Sequence, residues 1–102
     1  MTPPLAALSD PTRVRILDLL CERERSVGEL VNQFELSQSA VSQHLKVLRE
    51  AGLVAARADA QRRVYRINPA PFREMDGWLA RYRKFWIEEL DALERHLDAN
   101  PG

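Results

Sequence analysis

Apolar residues in the first half of the chain recur at steps of three and four, the spacing that predicts amphipathic helices. Residues 3–8 are expected to form a short first helix with two leucines on one side. A second helix is expected from Pro11 to about Arg23, because Asp10 is a favourable N-cap and proline fits the first helical position. The residues expected to face inward are Ile16, Leu17 and Leu20, flanked by Val14 and Cys21.

Two further helix starts follow. Ser26 and Glu29 have the spacing of a capping box and predict a third helix that ends near Phe34. Ser37 is a second favourable cap, and Gly52 can end the fourth helix in a left-handed conformation. The residues of the third helix expected to be buried are Leu30, Val31 and Phe34.

The fourth helix, within residues 37–52, has two unlike faces. One face is apolar and is expected to be buried: Val41, Leu45 and Leu48, with Ala40, Val47 and Ala51 beside them. The other carries amides, hydroxyls and one cation: Gln38, Ser39, Ser42, Gln43 and Lys46. Helices that lie in a DNA major groove present such groups to base edges. A helix, a turn and a second helix with a polar outer face together predict a helix-turn-helix.

A β-hairpin is expected next, with strands from Leu53 to Ala58 and from Arg62 to Asn68. Its turn, residues 59–61, contains no Asn-Gly or Asp-Gly pair, so the register stays open. The second strand should place Tyr65 and Ile67 on one face and Val64 and Arg66 on the other. A hairpin in this position is a "wing", and its arginines Arg57, Arg62 and Arg63 are expected to reach phosphates or the minor groove.

Pro69 and Pro71 are expected to break the chain before a long last helix, at about residues 71–98. Its apolar residues follow a near-heptad spacing, which is typical of a helix that packs on another helix. They are Phe72, Met75, Leu79, Tyr82, Trp86, Leu90, Leu93 and Leu97, and the stripe is widened by Trp78 and Phe85. Residues 100–102 are expected to be frayed.

The length of 102 residues predicts one small domain, residues 1–102. A domain of this size has little core for a second apolar face, so the long helix predicts a homodimer. The interface residues expected from the first and last helices are Leu5, Leu8, Met75, Trp78, Leu79, Tyr82, Phe85, Trp86, Leu90, Leu93 and Leu97.

The formal net charge is zero, with 15 basic and 15 acidic residues, which by itself argues against a nucleic-acid partner. The distribution of charge argues for one. Residues 37–66 contain six basic and two acidic residues, a net charge of +4, whereas residues 1–36 and 67–102 each carry a net charge of −2. The positive charge therefore lies beside the polar helix, where phosphate contacts need it.

Other classes of protein are disfavoured. Cys21 is the only cysteine, so no intrachain disulfide can form, and no apolar run has the length of a membrane span. The first residues resemble no signal peptide, so a cytoplasmic protein is expected. The chain has no glycine-rich phosphate loop, no Ser-His-Asp candidate set and no paired carboxylates, so we expect neither an enzyme nor a cofactor.

Three segments together resemble the ArsR/SmtB family of bacterial winged-helix repressors. They are residues 7–17 (Ala-Leu-Ser-Asp-Pro-Thr-Arg-Val-Arg-Ile-Leu), residues 37–54 from Ser-Gln-Ser-Ala-Val-Ser-Gln-His to Leu-Val, and residues 62–67 (Arg-Arg-Val-Tyr-Arg-Ile). The resemblance implies a mainly α fold with a small β-hairpin, in the order α-α-α-α-β-β-α. It also implies a homodimer that binds an operator in double-stranded DNA and releases it when an inducer binds.

The chain departs from the metal-sensing members of that family. Some carry Cys-x-Cys at the start of the third helix, where this chain has Ser26 and Gly28. Others bind zinc through an Asp-x-His pair and a later histidine and acid on the last helix, where this chain has only His96. No metal site is therefore expected, and the aromatic run at 78–86 resembles the metal-independent branch, whose inducers the sequence does not name.

The expected DNA contacts fall into three groups. Gln38, Ser39, Ser42 and Gln43 are expected to contact base edges or phosphates, and His44 either joins them or packs against the wing. Lys46, Arg57, Arg62 and Arg63 are expected mainly to neutralise phosphates. Thr12 and Arg13, at a helix N-terminus, are expected to hold one more phosphate.

Several alternatives stay open at this point. The polar helix face also fits a merely hydrated surface, and the aromatic stripe fits a small apolar ligand pocket as well as a dimer core. Cys21 fits a small buried hydrophobe better than a sensor, and His96 fits a hydrated side chain. Two rival functions remain: a repressor switched by metal or oxidation through Cys21 or His96, and a winged helix used for protein interaction, which the basic segment argues against.

Overall fold

The computed structural model describes residues 4–99, so residue 3 of the expected first helix and the expected fraying at 100–102 lie outside the described residues. Five helices and three strands follow one another in this range. They are α1 (Pro4–Ala7), α2 (Pro11–Glu22), β1 (Arg25–Ser26), α3 (Val27–Val31), α4 (Gln38–Glu50), β2 (Val54–Asp59), β3 (Arg62–Ile67) and α5 (Pro69–Ala99). The chain divides into two units, of which the first ends at Pro71 and the second begins at Phe72.

The sheet has one strand more than expected. β3 is central and pairs antiparallel with β2 on one side and with β1 on the other. β1 is only two residues long, with Arg25 opposite Tyr65 and Ser26 opposite Val64. So short a strand shows no alternation of apolar and polar residues, which is why the hairpin was expected to stand alone. The order is therefore α-α-β-α-α-β-β-α, in a fold that remains mainly helical.

All three expected helix caps are confirmed. The Asp10 carboxylate accepts hydrogen bonds from the amides of Thr12, at 2.8 Å, and Arg13, at 3.2 Å. Ser26 and Glu29 form both hydrogen bonds of the capping box, each 3.2 Å long. The Ser37 hydroxyl accepts from the Ala40 amide at 3.1 Å. These bonds satisfy amides that have no partner within their own helix.

The end of α4 is also as expected. Gly52 has a φ of 79°, and its amide donates to the Arg49 carbonyl at 3.0 Å. The next amide, of Leu53, donates to the Leu48 carbonyl at 3.0 Å. Together these are the two hydrogen bonds of a Schellman motif, which turns the chain into β2 and buries Leu53 completely.

The end of α3 differs from the expectation. The helix stops at Val31, and the amides of Gln33 and Phe34 donate to carbonyls three residues back, at 2.9 and 3.1 Å. The chain therefore tightens into turns before Ser37. Val31 and Phe34 are half-buried, so the expectation that both lie in the core is wrong, while Leu30 is fully buried as expected.

The core of the first unit is built mainly from α2, α3 and α4. Its largest completely buried side chains are Ile16, Leu30, Val41, Leu45, Leu48 and Leu53. On α2, Leu17, Leu19 and Leu20 join them, and of these Leu19 was not expected. Val14 and Cys21 are exposed, so the expectation that they flank the core is wrong. A helix turns about 100° per residue, which places both on the side of α2 away from the buried leucines.

A buried charge was not expected from the sequence. Arg25 is only 7% exposed, and its Nε donates to the Leu19 carbonyl at 3.0 Å. Its Nη2 lies 2.7 Å from the Glu22 carboxylate. Arg25 thus satisfies a carbonyl in the last turn of α2, where no helical partner exists.

The wing closes through a two-residue turn at Ala60 and Gln61, because Asp59 pairs with Arg62. The sequence alone does not determine this register, because the turn contains no Asn-Gly or Asp-Gly pair. β2 begins at Val54 and ends at Asp59, and β3 ends at Ile67, each within one residue of the expected bounds. Val64 and Tyr65 point to opposite faces of β3, and both are buried. The central strand is therefore covered on both faces at its middle.

Helix α5 begins at Pro69, so the expectation that Pro69 and Pro71 break the chain before it is wrong. Proline is tolerated in the first turn of a helix, where an amide has no helical acceptor. Asn68 precedes the helix, and its side chain accepts from the Ala70 amide at 3.4 Å and donates to the Gly52 carbonyl at 2.8 Å. None of the helices within residues 4–99 combines the length and apolar character that crossing a membrane requires.

Candidate nucleic-acid interface

The outer face of α4 is formed by exposed polar side chains on a firmly anchored helix. Its opposite face holds three side chains with no exposed surface, Val41, Leu45 and Leu48. The exposed residues are Gln38, Ser39, Ser42, Gln43 and Lys46. Because the buried leucines and valine anchor the helix in the core, the positions from which the amides and hydroxyls project are fixed, as base recognition requires.

His44 lies at the edge of this face and is half-buried. It is close enough to the start of α2 for an electrostatic interaction with the Asp10 carboxyl that lowers the pKa of Asp10. Loss of hydration raises the pKa of Asp10, but hydrogen bonds from the Arg13 and Thr12 amides and the nearby positive charges lower it below its ordinary value. His44 is therefore electrostatically linked to the N-terminus of α2.

The N-terminus of α2 already has an anion. The amides of Thr12 and Arg13 both donate to the Asp10 carboxylate, and the Arg13 Nε donates to the Ala7 carbonyl at 2.7 Å. A phosphate at this helix end would have to displace a covalently attached carboxylate. Thr12 and Arg13 can therefore contact a phosphate through their side chains, because their amides already bind the Asp10 carboxylate.

The three expected arginines of the wing differ in their partners. Arg57 forms an ion pair with Glu24, with 2.7 Å between Nη1 and the carboxylate. Arg62 lies 3.0 Å from the Asp59 carboxylate and 3.6 Å from that of Glu29. Arg63 is exposed and forms no ion pair with any residue in the range 4–99.

Glu29 is the most highly connected carboxylate of this surface. It completes the capping box with Ser26, and it lies 2.9 Å from the Arg23 guanidinium. The hydrogen bond from the Ser26 amide, followed by those from Arg23 and the Ser26 hydroxyl, holds the pKa of Glu29 below its ordinary value. Glu29 is therefore ionised at neutral pH.

A groove of about 430 Å³ separates α4 from the wing. Four of the expected contact residues, Gln38, Ser42, Arg62 and Arg63, line it together. Ser39, Gln43, His44, Lys46 and Arg57 do not line it, nor do Thr12 and Arg13. Its remaining lining residues are Ser26, Val27, Gly28 and Gln61. Gln61 was not expected as a contact, although its place at the tip of the hairpin, next to two arginines, could have indicated it.

The groove also includes Ser26 and Gly28, the two positions where the metal-sensing proteins carry cysteines. Within residues 4–99, no three side chains of histidine, cysteine, aspartate or glutamate are grouped closely enough to hold a metal ion. Cys21 is exposed on α2.

Comparison with known proteins decides the family. Residues 10–56 match the model described as "bacterial regulatory protein, arsR family". The HTH-type transcriptional regulator Rv2034 of Mycobacterium tuberculosis is 39% identical over 93 residues, which cover 91% of this chain and 84% of that protein. The chain belongs to the arsR family. The family assignment and the names of these relatives describe regulators rather than enzymes.

Solved structures support the same assignment. The crystal structure of a possible transcriptional regulator for arsenical resistance is 41% identical, with a TM-score of 0.73. It matches over 94% of this chain and 97% of that one. An uncharacterised HTH-type regulator of M. tuberculosis, Rv0081, is 49% identical over 69 residues, which cover 67% of this chain and 60% of that protein.

Other arsR relatives are named for opposite effects on transcription. HlyU of Vibrio cholerae, 45% identical over 70% of this chain and 66% of its own, is named a transcriptional activator. SdpR of Bacillus subtilis, 30% identical over 74% of this chain and 84% of its own, is named a transcriptional repressor. Family membership therefore indicates regulation without indicating its direction.

Proposed function

We propose that this protein is a sequence-specific DNA-binding transcriptional regulator that acts as a homodimeric repressor. The observation that carries the proposal is the groove between α4 and the wing. It brings the polar face of α4, with Gln38 and Ser42, within one surface with Arg62 and Arg63. Amides and hydroxyls can discriminate bases, while guanidinium groups bind phosphates with little regard to sequence.

In the proposed complex, α4 enters the major groove and the wing follows the adjoining backbone. Gln38, Ser39, Ser42 and Gln43 are assigned to base edges or nearby phosphates, and His44 to the rim of that contact. Lys46 and the wing arginines are assigned to phosphates, and Thr12 and Arg13 to a further phosphate through their side chains. This division follows from the chemistry of the exposed groups, because phosphate contacts supply most of the affinity and base contacts supply selectivity.

The second unit supplies the argument for a dimer. A row of large apolar residues on α5 is exposed, and two of them, Trp86 and Leu90, are 60% and 63% exposed. A stripe of this size on one helix is typical of an interaction surface. A second copy offers the same near-heptad stripe, so the two can cover each other. The exposed members are Trp78, Leu79, Tyr82, Phe85, Trp86, Leu90, Leu93 and Leu97, and the half-buried Met75 precedes them.

Leu5, which is 59% exposed, and the half-buried Leu8 are assigned to the same interface. On this proposal the whole chain, residues 1–102, works as one DNA-binding unit that is complete only as a pair. A homodimer would place two α4 helices in successive major grooves, about 34 Å apart, on an imperfect palindrome.

The bound dimer would repress by blocking polymerase. Release requires a signal that stabilises the DNA-free form more than the DNA-bound form. We assign this release to a signal other than a metal ion, because Ser26 and Gly28 offer no thiolates at the start of α3. Zinc, arsenite and oxidant titrations of DNA binding test this assignment, and a large effect of any of them would favour a switch through Cys21 or His96.

The experiment that tests DNA binding is a fluorescence titration with a labelled duplex from upstream of the protein's own gene, beside a scrambled duplex. We expect tighter binding to the upstream duplex and a steep loss of affinity with salt. Gln43→Ala combined with Arg63→Ala should weaken binding at least tenfold. Gln33→Ala is the matched control, because Gln33 is an exposed glutamine in the turn before α4. Equal affinity of the double variant and the wild type would contradict the contact assignment.

Binding that shows no preference between the two duplexes and little dependence on salt would favour the rival function. In that case the winged helix would be an interaction module for another protein rather than a reader of DNA.

A further inference from the structure

The wing arginines fall into two classes, those that form an ion pair within residues 4–99 and one that forms none there. Glu24 and Glu29, which take part in these pairs, lie outside residues 37–66. Arg57 is paired with Glu24, which precedes β1, and Arg62 is paired with Glu29 of α3 as well as with its neighbour Asp59. Arg63 forms no ion pair within the described part of the chain. The three arginines of this hairpin therefore differ in how readily each can turn to a phosphate.

The pairing also changes the charge of the candidate interface. Residues 37–66 carry a net charge of +4, counted from six basic and two acidic residues. Folding adds to this surface the carboxylates of Glu24 and Glu29 and the Arg23 guanidinium that pairs with Glu29, which reduces the local net charge from +4 to about +3. Both carboxylates lie beside guanidinium groups that a phosphate would otherwise contact, so each opposes the approach of DNA.

Glu29 is held in place independently of the wing. Its Oε1 accepts from the Ser26 amide at 3.2 Å, and its Oε2 lies 2.9 Å from Arg23. The carboxylate therefore stays at the edge of the groove whether or not Arg62 turns toward it. Glu24, in contrast, has Arg57 as its one ion-pair partner among residues 4–99.

We propose that Glu24 and Glu29 limit the DNA affinity of the wing, and that Arg63 makes its main phosphate contact. This inference rests on the proposed function, because it assigns unequal roles to residues of the same DNA-binding surface. The pairs are exposed, with side chains 50% and 47% exposed for Arg57 and Glu24 and 58% and 35% for Arg62 and Glu29. Exposed pairs contribute little to folding, so their main effect falls on binding.

The test removes the negative charges while keeping the shapes of the side chains. Glu29→Gln retains the capping box, since glutamine also serves at that position, and Glu24→Gln breaks no other ion pair within residues 4–99. We expect each variant to bind the upstream duplex more tightly, about threefold to tenfold for Glu24→Gln near 0.1 M salt. A smaller gain is expected for Glu29→Gln, because Asp59 remains beside Arg62.

The salt dependence of binding provides the second readout. Each arginine released to a phosphate should steepen the plot of log affinity against log salt by about 0.9. Glu24→Gln should therefore give a steeper plot than the wild type. Arg63→Ala should make the plot shallower by about 0.9, and Arg57→Ala should change it by less.

Asp18→Asn is the matched control for net charge. Asp18 is exposed on α2 and forms no ion pair within residues 4–99, so its replacement adds the same charge without releasing an arginine. We expect at most a small change in affinity and no change of slope. Circular dichroism of each variant checks that the fold is retained.

Three results would overturn the inference: no gain in affinity for Glu24→Gln, an equal gain for Asp18→Asn, or a larger change of slope for Arg57→Ala than for Arg63→Ala. Failure of the proposed function would give a different result, because the wild type itself would then not bind the upstream duplex in a salt-dependent way.

Discussion

The two units of this chain differ in the exposure of the apolar residues on their helices. In the first unit, leucines such as Leu45 and Leu48 have no exposed surface, and the exposed side of the same helix is polar. In the second unit, Leu90 and Leu93 lie on a helix of similar amphipathic pattern but are 63% and 53% exposed. A periodic apolar stripe therefore identifies a surface to be covered, and only the structure shows whether the same chain covers it.

The largest expected effect comes from a substitution in the buried core of the first unit. Leu48→Ala should lower the free energy of unfolding by about 2–5 kcal/mol, because it leaves a cavity in a fully packed core. The loss should be independent of protein concentration in urea unfolding followed by circular dichroism, if the concentration is kept where the oligomeric state does not change. A loss below 1 kcal/mol would mean that Leu48 is not an essential part of the core.

The corresponding change in the second unit should act on association. Leu90→Ala should raise the dissociation constant of the dimer about tenfold or more, because interface leucines are covered only in the pair. Sedimentation equilibrium over a range of concentrations measures this. Glu88→Ala, on the opposite side of α5 from the stripe, is the control and should leave the constant nearly unchanged. A monomeric wild type at high micromolar concentration would contradict the dimer proposal.

Two glycines, one in each unit, extend the comparison to the conformation of the backbone. Gly52, at the end of α4, has a φ of 79°, so Gly52→Ala should destabilise the protein by about 1–2 kcal/mol. Gly77 lies within α5, and a Cβ there would meet no atom within 4 Å. Gly77→Ala should therefore stabilise the helix by about 0.8–1 kcal/mol. Thermal unfolding of both variants tests the pair, and a shift of the melting temperature in the same direction for both would contradict the account.

The smallest effect concerns pH. The pKa values of Asp10 and Glu29 are lowered in the folded state, so each contributes stability at neutral pH that is lost as the pH falls through the folded pKa. Asp10→Asn keeps a capping side chain but removes this dependence. The gap in melting temperature between wild type and variant should narrow as the pH is lowered from 6 toward 3. A gap that stays constant with pH would show that ionisation of Asp10 does not stabilise the fold.

The features that the sequence predicted well are those set by neighbours along the chain. The caps at Asp10, Ser26 and Ser37 and the left-handed end at Gly52 each depend on residues within a turn of one another. The buried face of α4 follows in the same way from its spacing. The error at Pro69 is also local, because the rule that proline breaks helices does not apply to the first turn.

The features that the sequence did not predict depend on residues distant along the chain. Arg57 finds Glu24, 33 residues away, only when β2 and the segment before β1 come together. The two-residue strand β1 exists because β3 offers it a free edge. The count of charges along the sequence therefore predicted the positive sign of residues 37–66. It overstated how much of that charge is available to DNA.

Chemical protection of the upstream DNA tests the central claim most directly, because it reports both the helix in the groove and the pairing of two copies. Dimethyl sulfate and hydroxyl-radical footprints should show two protected tracts, centred about 10–10.5 base pairs apart, with guanines protected in successive major grooves. The protection should disappear with Gln43→Ala and Arg63→Ala together and remain with Gln33→Ala. A single short tract, or protection unchanged in the double variant, would contradict a paired α4 as the reader of DNA.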